Sequence, residues 1–241
     1  MGIRSIDFTA TARRLGMSSA VGVVLLSVAY TVTLAAGLLS LQSPDQPVGD
    51  PFFPVLEILI ILSAPLMVAV MVSVHAWTPP EAKTYSLAAL VFMSLLAGVT
   101  CSVHFVILTV SRQIGSAGLP WLPLLFSFEW PSIHYALDIL AWDLFFALSM
   151  LFAAPVFSGD RLQVSIRILM IASGVLALGG MSGVVIGDMQ LRMIGVVGYA
   201  GVFPVVALLL AILFWRTKDF IDVAIVGEDG LAHSAAGTSS P

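Results

Sequence analysis

Charge is scarce in this chain. Asp, Glu, Lys and Arg make up only 10% of its 241 residues, where soluble domains carry about a quarter. A water-soluble domain of this size could not hide the 59% of residues that are hydrophobic. Cysteine is nearly absent as well. The one example, Cys101, sits in an apolar run, which excludes an internal disulfide framework and any four-thiolate zinc site. The ten basic residues are scattered along a chain of net charge −4, so there is no electrostatic footprint for nucleic acid. Nucleotide fingerprints are missing: the sequence has neither a Walker loop nor the glycine pattern of a dinucleotide fold. It has no matched pair of Gly/Pro-broken segments in two halves, as inverted-repeat transporters show, and no lysine within the last apolar run for a retinal link.

What the chain does have is long apolar runs, with a mean hydropathy of +1.04. A bilayer core needs about 20 apolar residues per helix. Six segments reach that length, at about 18–41, 52–76, 84–110, 132–157, 162–187 and 190–215. The expected fold is therefore an all-α integral membrane bundle of six spans, with a short segment 1–17 before it and a tail 216–241 after it. The first span follows Arg13 and Arg14 and is too long for a signal-peptide core, so it is read as a retained signal anchor. The tail ends in HSAAGTSSP and cannot bury enough apolar surface to order itself.

Basic residues orient the bundle, because short loops rich in Lys and Arg stay in the cytoplasm. With the N-terminus inside, Arg4, Arg13, Arg14, Lys83, Arg161, Arg167, Arg216 and Lys218 are cytoplasmic, and only Arg112 and Arg192 lie outside. Both termini are expected inside, with the plasma membrane as the location. The outer connection 111–131 carries Trp121, Phe126, Phe128 and Trp130. Such aromatics favour the headgroup level, so this loop is expected to lie over the bundle as a lid. At the inner turn, Thr78-Pro79-Pro80-Glu81 has the form of a capping box that starts span 3.

Small residues allow membrane helices to approach closely. Gly179, Gly183 and Gly187 recur every four residues in span 5, and span 6 offers Gly195, Gly198 and Gly201. The two spans are expected to form a tight antiparallel pair. Pro65 and Pro204 are expected to kink spans 2 and 6 or to free a carbonyl.

Ionisable residues inside spans are costly and tend to face the bundle interior. Glu57, Cys101, His104, His134, Asp138 and Asp143 all fall in the outer half, and they are the candidate residues of a polar pocket walled by spans 2, 3 and 4. His134 and Asp138, four apart, share a helix face, where a carboxylate would orient the imidazole. Asp143 lies about 140° round the α-helix from Asp138 and is expected to point to a different neighbour. Glu57, Glu129, His134 and Asp138 are close enough to the outer interface to be wetted. His104 and His134 are the only pair placed to hold a haem or transition metal. They lack the repeated ligand spacing of metal sites, and the sequence names no cofactor.

Gly180-Met181-Ser182-Gly183 resembles the Gly-x-Ser-Gly element of rhomboid intramembrane proteases, a six-helix family. Those enzymes activate the serine with a histidine on the last helix, and nucleophilic catalysis requires such a base within reach. Span 6 has no histidine, so the resemblance fails at the base.

Three functions follow from these residues. The leading one is a pocket that binds a small ligand, lipid or ion in a sensory, transport or accessory role. The second is an intramembrane enzyme on a lipid or isoprenoid, with His104 and a carboxylate as acid and base. The third is a scaffold subunit, with the glycine faces meeting a second copy or a larger membrane complex.

Overall fold

The computed structural model describes residues 8–43, 46–114 and 118–217. Among them every regular element is helical, and six helices are long and apolar enough to cross a membrane. These are α1 (Ala10–Leu39), α2 (Phe52–Trp77), α3 (Pro80–Ile114), α4 (Ile133–Val156), α5 (Arg161–Ile186) and α6 (Met189–Arg216). Each packs against its neighbours in sequence, and α1 closes the ring against α6. Short connections enforce this order, since consecutive helices joined by few residues have little choice but to be antiparallel neighbours. The segments before Phe8 and after Thr217, including the expected tail, lie outside the described residues.

Caps set several boundaries. Thr9 accepts from the Ala12 amide at 3.2 Å, so α1 begins eight residues before the expected start and takes Arg13 and Arg14 into its first turns. Ser132 caps α4 through the Tyr135 amide, and Asp160 caps α5 through that of Gln163. The expected capping box does not form. Thr78 instead closes the end of α2, donating its hydroxyl to the Val74 carbonyl at 2.6 Å, and Pro79 leads into a 3₁₀ turn. Pro79 makes Thr78 extended, because the residue before a proline is pushed out of the helical region.

Pro65 does not break α2, which is helical throughout. Pro204 sits in the first turn of the straight part of α6, directly after a π segment at Val197–Val202. The π segment absorbs the missing amide, as local π adjustments do in membrane helices. Two other π segments occur, at Ile107–Ser111 in α3 and Leu140–Phe145 in α4.

The α5/α6 pair meets through part of the expected glycine set. A Cβ on Gly180 would stand 2.9 Å from the Gly195 Cα, and one on Gly198 2.7 Å from the Ser173 carbonyl. Ser173 donates its hydroxyl to the Gly198 carbonyl at 2.8 Å, locking the seam. Gly179 touches only Ile194, and Gly183 faces the turn at Asp188 and Arg192. Gly187 is not a groove residue: it ends α5 with φ +80°, the left-handed conformation that glycine adopts without strain. Gly201 faces only Val197 of its own helix. The π segment shifts Gly201 out of phase with Gly198, since one extra residue rotates everything after it.

The core is layered. Towards the end that carries the turn 78–82, α2 to α6 bury Met71, Met93, Met150, Ile166, Met170, Leu210 and Phe214. Phe146, beneath the polar layer, is wholly buried and meets Tyr199 and Phe203 edge-on. Towards the end that carries the 111–131 loop, the interior becomes ionic.

Candidate functional site

Four helices converge on a buried ionic chain near the loop end. The His104 Nδ1 of α3 lies 2.8 Å from Glu57 Oε2 of α2, and its Nε2 lies 3.5 Å from Asp138 Oδ1 of α4. The other Asp138 oxygen accepts from Arg192 Nη2 of α6 at 2.9 Å. Arg192 Nη1 donates to the Tyr135 hydroxyl at 2.9 Å, and its guanidinium stands 4.6 Å from the Tyr135 ring centre. Arg192 Nε faces Asp143 Oδ2 at 3.6 Å. Glu57 and His104 are each 3% exposed, Asp138 and Arg192 each 8%, and Asp143 0%. Tyr30 of α1 is within electrostatic reach of Glu57, Asp138 and Arg192, and Tyr199 of α6 is within reach of Arg192, Asp143, Asp138 and Tyr135.

Asp138 and Asp143 meet the same guanidinium, contrary to the expectation that one helix could not aim both at one place. The reason is the π segment at Leu140–Phe145 between and around them. A π turn closes its hydrogen bond between residues five apart, and five residues separate the two carboxylates. The predicted 140° divergence holds only for a regular α-helix.

Arg192 is the member that sequence reasoning missed. Its position at the apparent end of an apolar run places it in the outer turn between the fifth and sixth spans. The 3₁₀ start of α6, capped by Asp188 through the Gln190 amide at 3.0 Å, turns it inward. The available signal was charge: three acids and one histidine with no cation in the same layer imply a missing partner. Nor are Glu57 and Asp138 wetted at the interface, since both are buried.

Two of the expected residues stand apart from the chain. His134 does not stack with Asp138; its Nδ1 donates to the Leu125 carbonyl and its ring meets Phe126 at 5.1 Å. The backbone of the short helix Leu122–Phe126 thereby holds the His134 ring towards the loop. Cys101 points its Sγ to the Ile61 carbonyl at 3.7 Å and is part of the α2/α3 seam. The His104 nitrogens face the carboxylates of Glu57 and Asp138, and His134 Nδ1 is held by the Leu125 carbonyl. Among the described residues no group of three His, Cys, Asp or Glu has metal-holding geometry. Ser182 of the Gly-x-Ser-Gly element donates to the Gly179 carbonyl at 2.6 Å. Its hydroxyl serves the helix break and has no base beside it.

The loop roofs the chain with aromatics. Phe128 stacks on the His104 ring at 5.1 Å and meets Tyr135 edge-on, while Trp130 covers the other edge of Tyr135. Ser111 donates to the Phe126 carbonyl, tying the loop to the end of α3. Above this roof lies a cleft of about 430 Å³, lined in part by Phe53, Phe126 and Phe128. At its rim Arg112 grips Asp50 with two hydrogen bonds of 2.8 and 2.7 Å, and the guanidinium holds the Asp50 carboxyl below the usual carboxylate range.

Several buried atoms of the chain find no hydrogen-bond partner in the protein: His104 Nε2, both Asp143 oxygens, Arg192 Nε and, one turn away on α3, Thr100 Oγ1. Three of these, His104 Nε2, Arg192 Nε and Asp143 Oδ2, face an ionisable partner at 3.5 or 3.6 Å instead. Compared with protein-family models, with curated proteins and with solved structures, the chain matches none.

Proposed function

We propose that the six helices cross a membrane with both termini on the cytoplasmic side, and that the buried ionic chain is a proton-binding relay serving a sensory or transport role at the outer face. The basic residues of the inner loops support the orientation. Under it, the loop end faces outward and the cluster lies in the outer half of the bilayer.

The observation that carries this reading is the chain Glu57–His104–Asp138–Arg192–Asp143. It contains three carboxylates, one permanent cation and one imidazole. With every acid ionised and His104 protonated its net charge is −1, and with His104 neutral it is −2. A buried net charge costs several kcal/mol or more, so the cluster approaches neutrality by binding protons. Asp143 is the natural seat for the last one, since neither of its oxygens accepts a hydrogen bond. Chains of Asp, Glu and His inside membrane proteins commonly carry protons. The apolar layer of Phe146, Met150, Met93 and Leu96 supports access from one side only.

Two other readings find less support. An enzyme needs His104 open to a lipid substrate, yet its nitrogens face carboxylates and its ring is covered by Phe128. A scaffold needs its glycine face free, yet Gly180 and Gly198 are spent on the α5/α6 seam.

The test is pH-difference infrared spectroscopy on the purified protein. A protonated-carboxyl stretch that titrates in wild type and disappears in Asp143→Asn or Asp138→Asn supports the relay. Absence of any titrating buried carboxyl between about pH 4 and pH 10 in the folded wild type overturns it.

A further inference from the structure

The cleft above the roof is a second site, separate from the relay. Its cavity of about 430 Å³ is within the size range of small-molecule sites, which are mostly apolar with a few placed polar groups. Phe53, Phe126 and Phe128 form apolar walls, contributed by the start of α2 and by the loop. The charged residues that line it are Asp50, Arg112 and Glu129. Asp50 and Arg112 neutralise each other in a two-bond pair. Glu129 is exposed and, among the described residues, has no ion-pair partner. The lining therefore carries one uncompensated negative charge beside three aromatic side chains. Aromatic faces attract cations, the more so when these are poorly hydrated.

We infer that this cleft binds a lipophilic organic cation, seated against Phe53, Phe126 and Phe128 with its charge answered by Glu129. An anion of the same shape would meet the same walls and be repelled by Glu129. This site goes beyond the proton relay and does not depend on it, although Phe128 is shared as the wall of one and the roof of the other.

The experiment is equilibrium dialysis of the full chain in an uncharged maltoside detergent. The probes are tetraphenylphosphonium and tetraphenylborate, which match in shape and differ in sign. Wild type is expected to bind the cation saturably and about tenfold or more tighter than the anion, which corresponds to about 1.4 kcal/mol. Glu129→Gln, at an exposed position, is expected to erase most of that preference, and Phe53→Leu to weaken the cation several-fold. Equal affinity for both probes, purely non-saturable uptake, or a preference untouched in Glu129→Gln overturns the assignment. So does displacement of the cation by phosphatidylcholine micelles but not by phosphatidylglycerol ones, which would make a lipid ammonium the occupant. Asp143→Asn is expected to retain the preference for the cation, so failure of the relay and failure of the cleft are read separately.

Discussion

Asp138 and Asp143 stand five residues apart on one helix, and both face the guanidinium of Arg192. Only a π turn permits this, because in a regular α-helix their directions would diverge by about 140°. Deleting Ala141, a wholly buried residue, should return α4 to a regular α-helix and leave Asp138 and Asp143 four apart, still on one face. The expected result is a folded protein whose pH-difference infrared spectrum keeps the Asp143 signal. A spectrum matching that of Asp143→Asn in the folded deletion variant would show that the pairing needs the π turn itself.

Arg192 is the one permanent cation of the chain, and its loss strands Asp138 and Asp143. Arg192→Met should destabilise the protein by about 3–5 kcal/mol, the usual cost of breaking a buried ion pair from one side. Adding Asp138→Leu and Asp143→Leu should recover much of this, since replacing all partners removes the unpaired charge. Unfolding in mixed detergent micelles measures both steps. A harmless single variant would mean the cluster is wet rather than dry.

Gly195 is packed against the site itself. A Cβ there would stand 2.9 Å from Asp143 Oδ1 and 3.3 Å from the Ala177 carbonyl and the Gly180 Cα. Gly195→Ala should cost about 1–3 kcal/mol through overpacking. Gly98→Ala in α3, whose Cβ would meet nothing within 4 Å, should be neutral or stabilise by up to about 1 kcal/mol. Thermal unfolding of the pair in one detergent compares them directly.

Phe128 separates the His104 ring from the cleft. Phe128→Ala should raise the rate of hydrogen–deuterium exchange at the His104 imidazole carbon several-fold, read by mass spectrometry of the histidine peptide. His75 serves as the internal reference: it lies in the last turn of α2 with its Nδ1 2.8 Å from the Ser86 hydroxyl, and its rate should not change.

The Asp50–Arg112 pair ties the α1/α2 connection to the end of α3. Because Arg112 lowers the Asp50 carboxyl in the folded state, the pair contributes at and above the ordinary carboxylate range. It is lost as pH falls through the depressed value, below about 3.9. Both groups are well exposed, so added salt should weaken the pair too. The amide protection factors of residues 46–53, which remove the intrinsic pH dependence of exchange, should be higher at neutral pH than at strongly acid pH. In Asp50→Asn they should be low at both.

Composition alone determined the class of this protein. With 10% charged residues and six apolar runs long enough to cross a bilayer as helices, a helical bundle satisfies the backbone within each run, and short connections then fix the ring of neighbours. The layer of the site was also legible, because Glu57, His104, Asp138 and Asp143 fall in the loop-end half of their runs. Tertiary structure decided which of them meet. A π turn in α4 changed the phase between two acids, a 3₁₀ start turned Arg192 inward, and a loop carbonyl took the nitrogen of His134. Each outcome depends on one residue's worth of helical rotation or on a contact between segments distant in sequence. Periodicity assumes a regular helix, so it cannot register either.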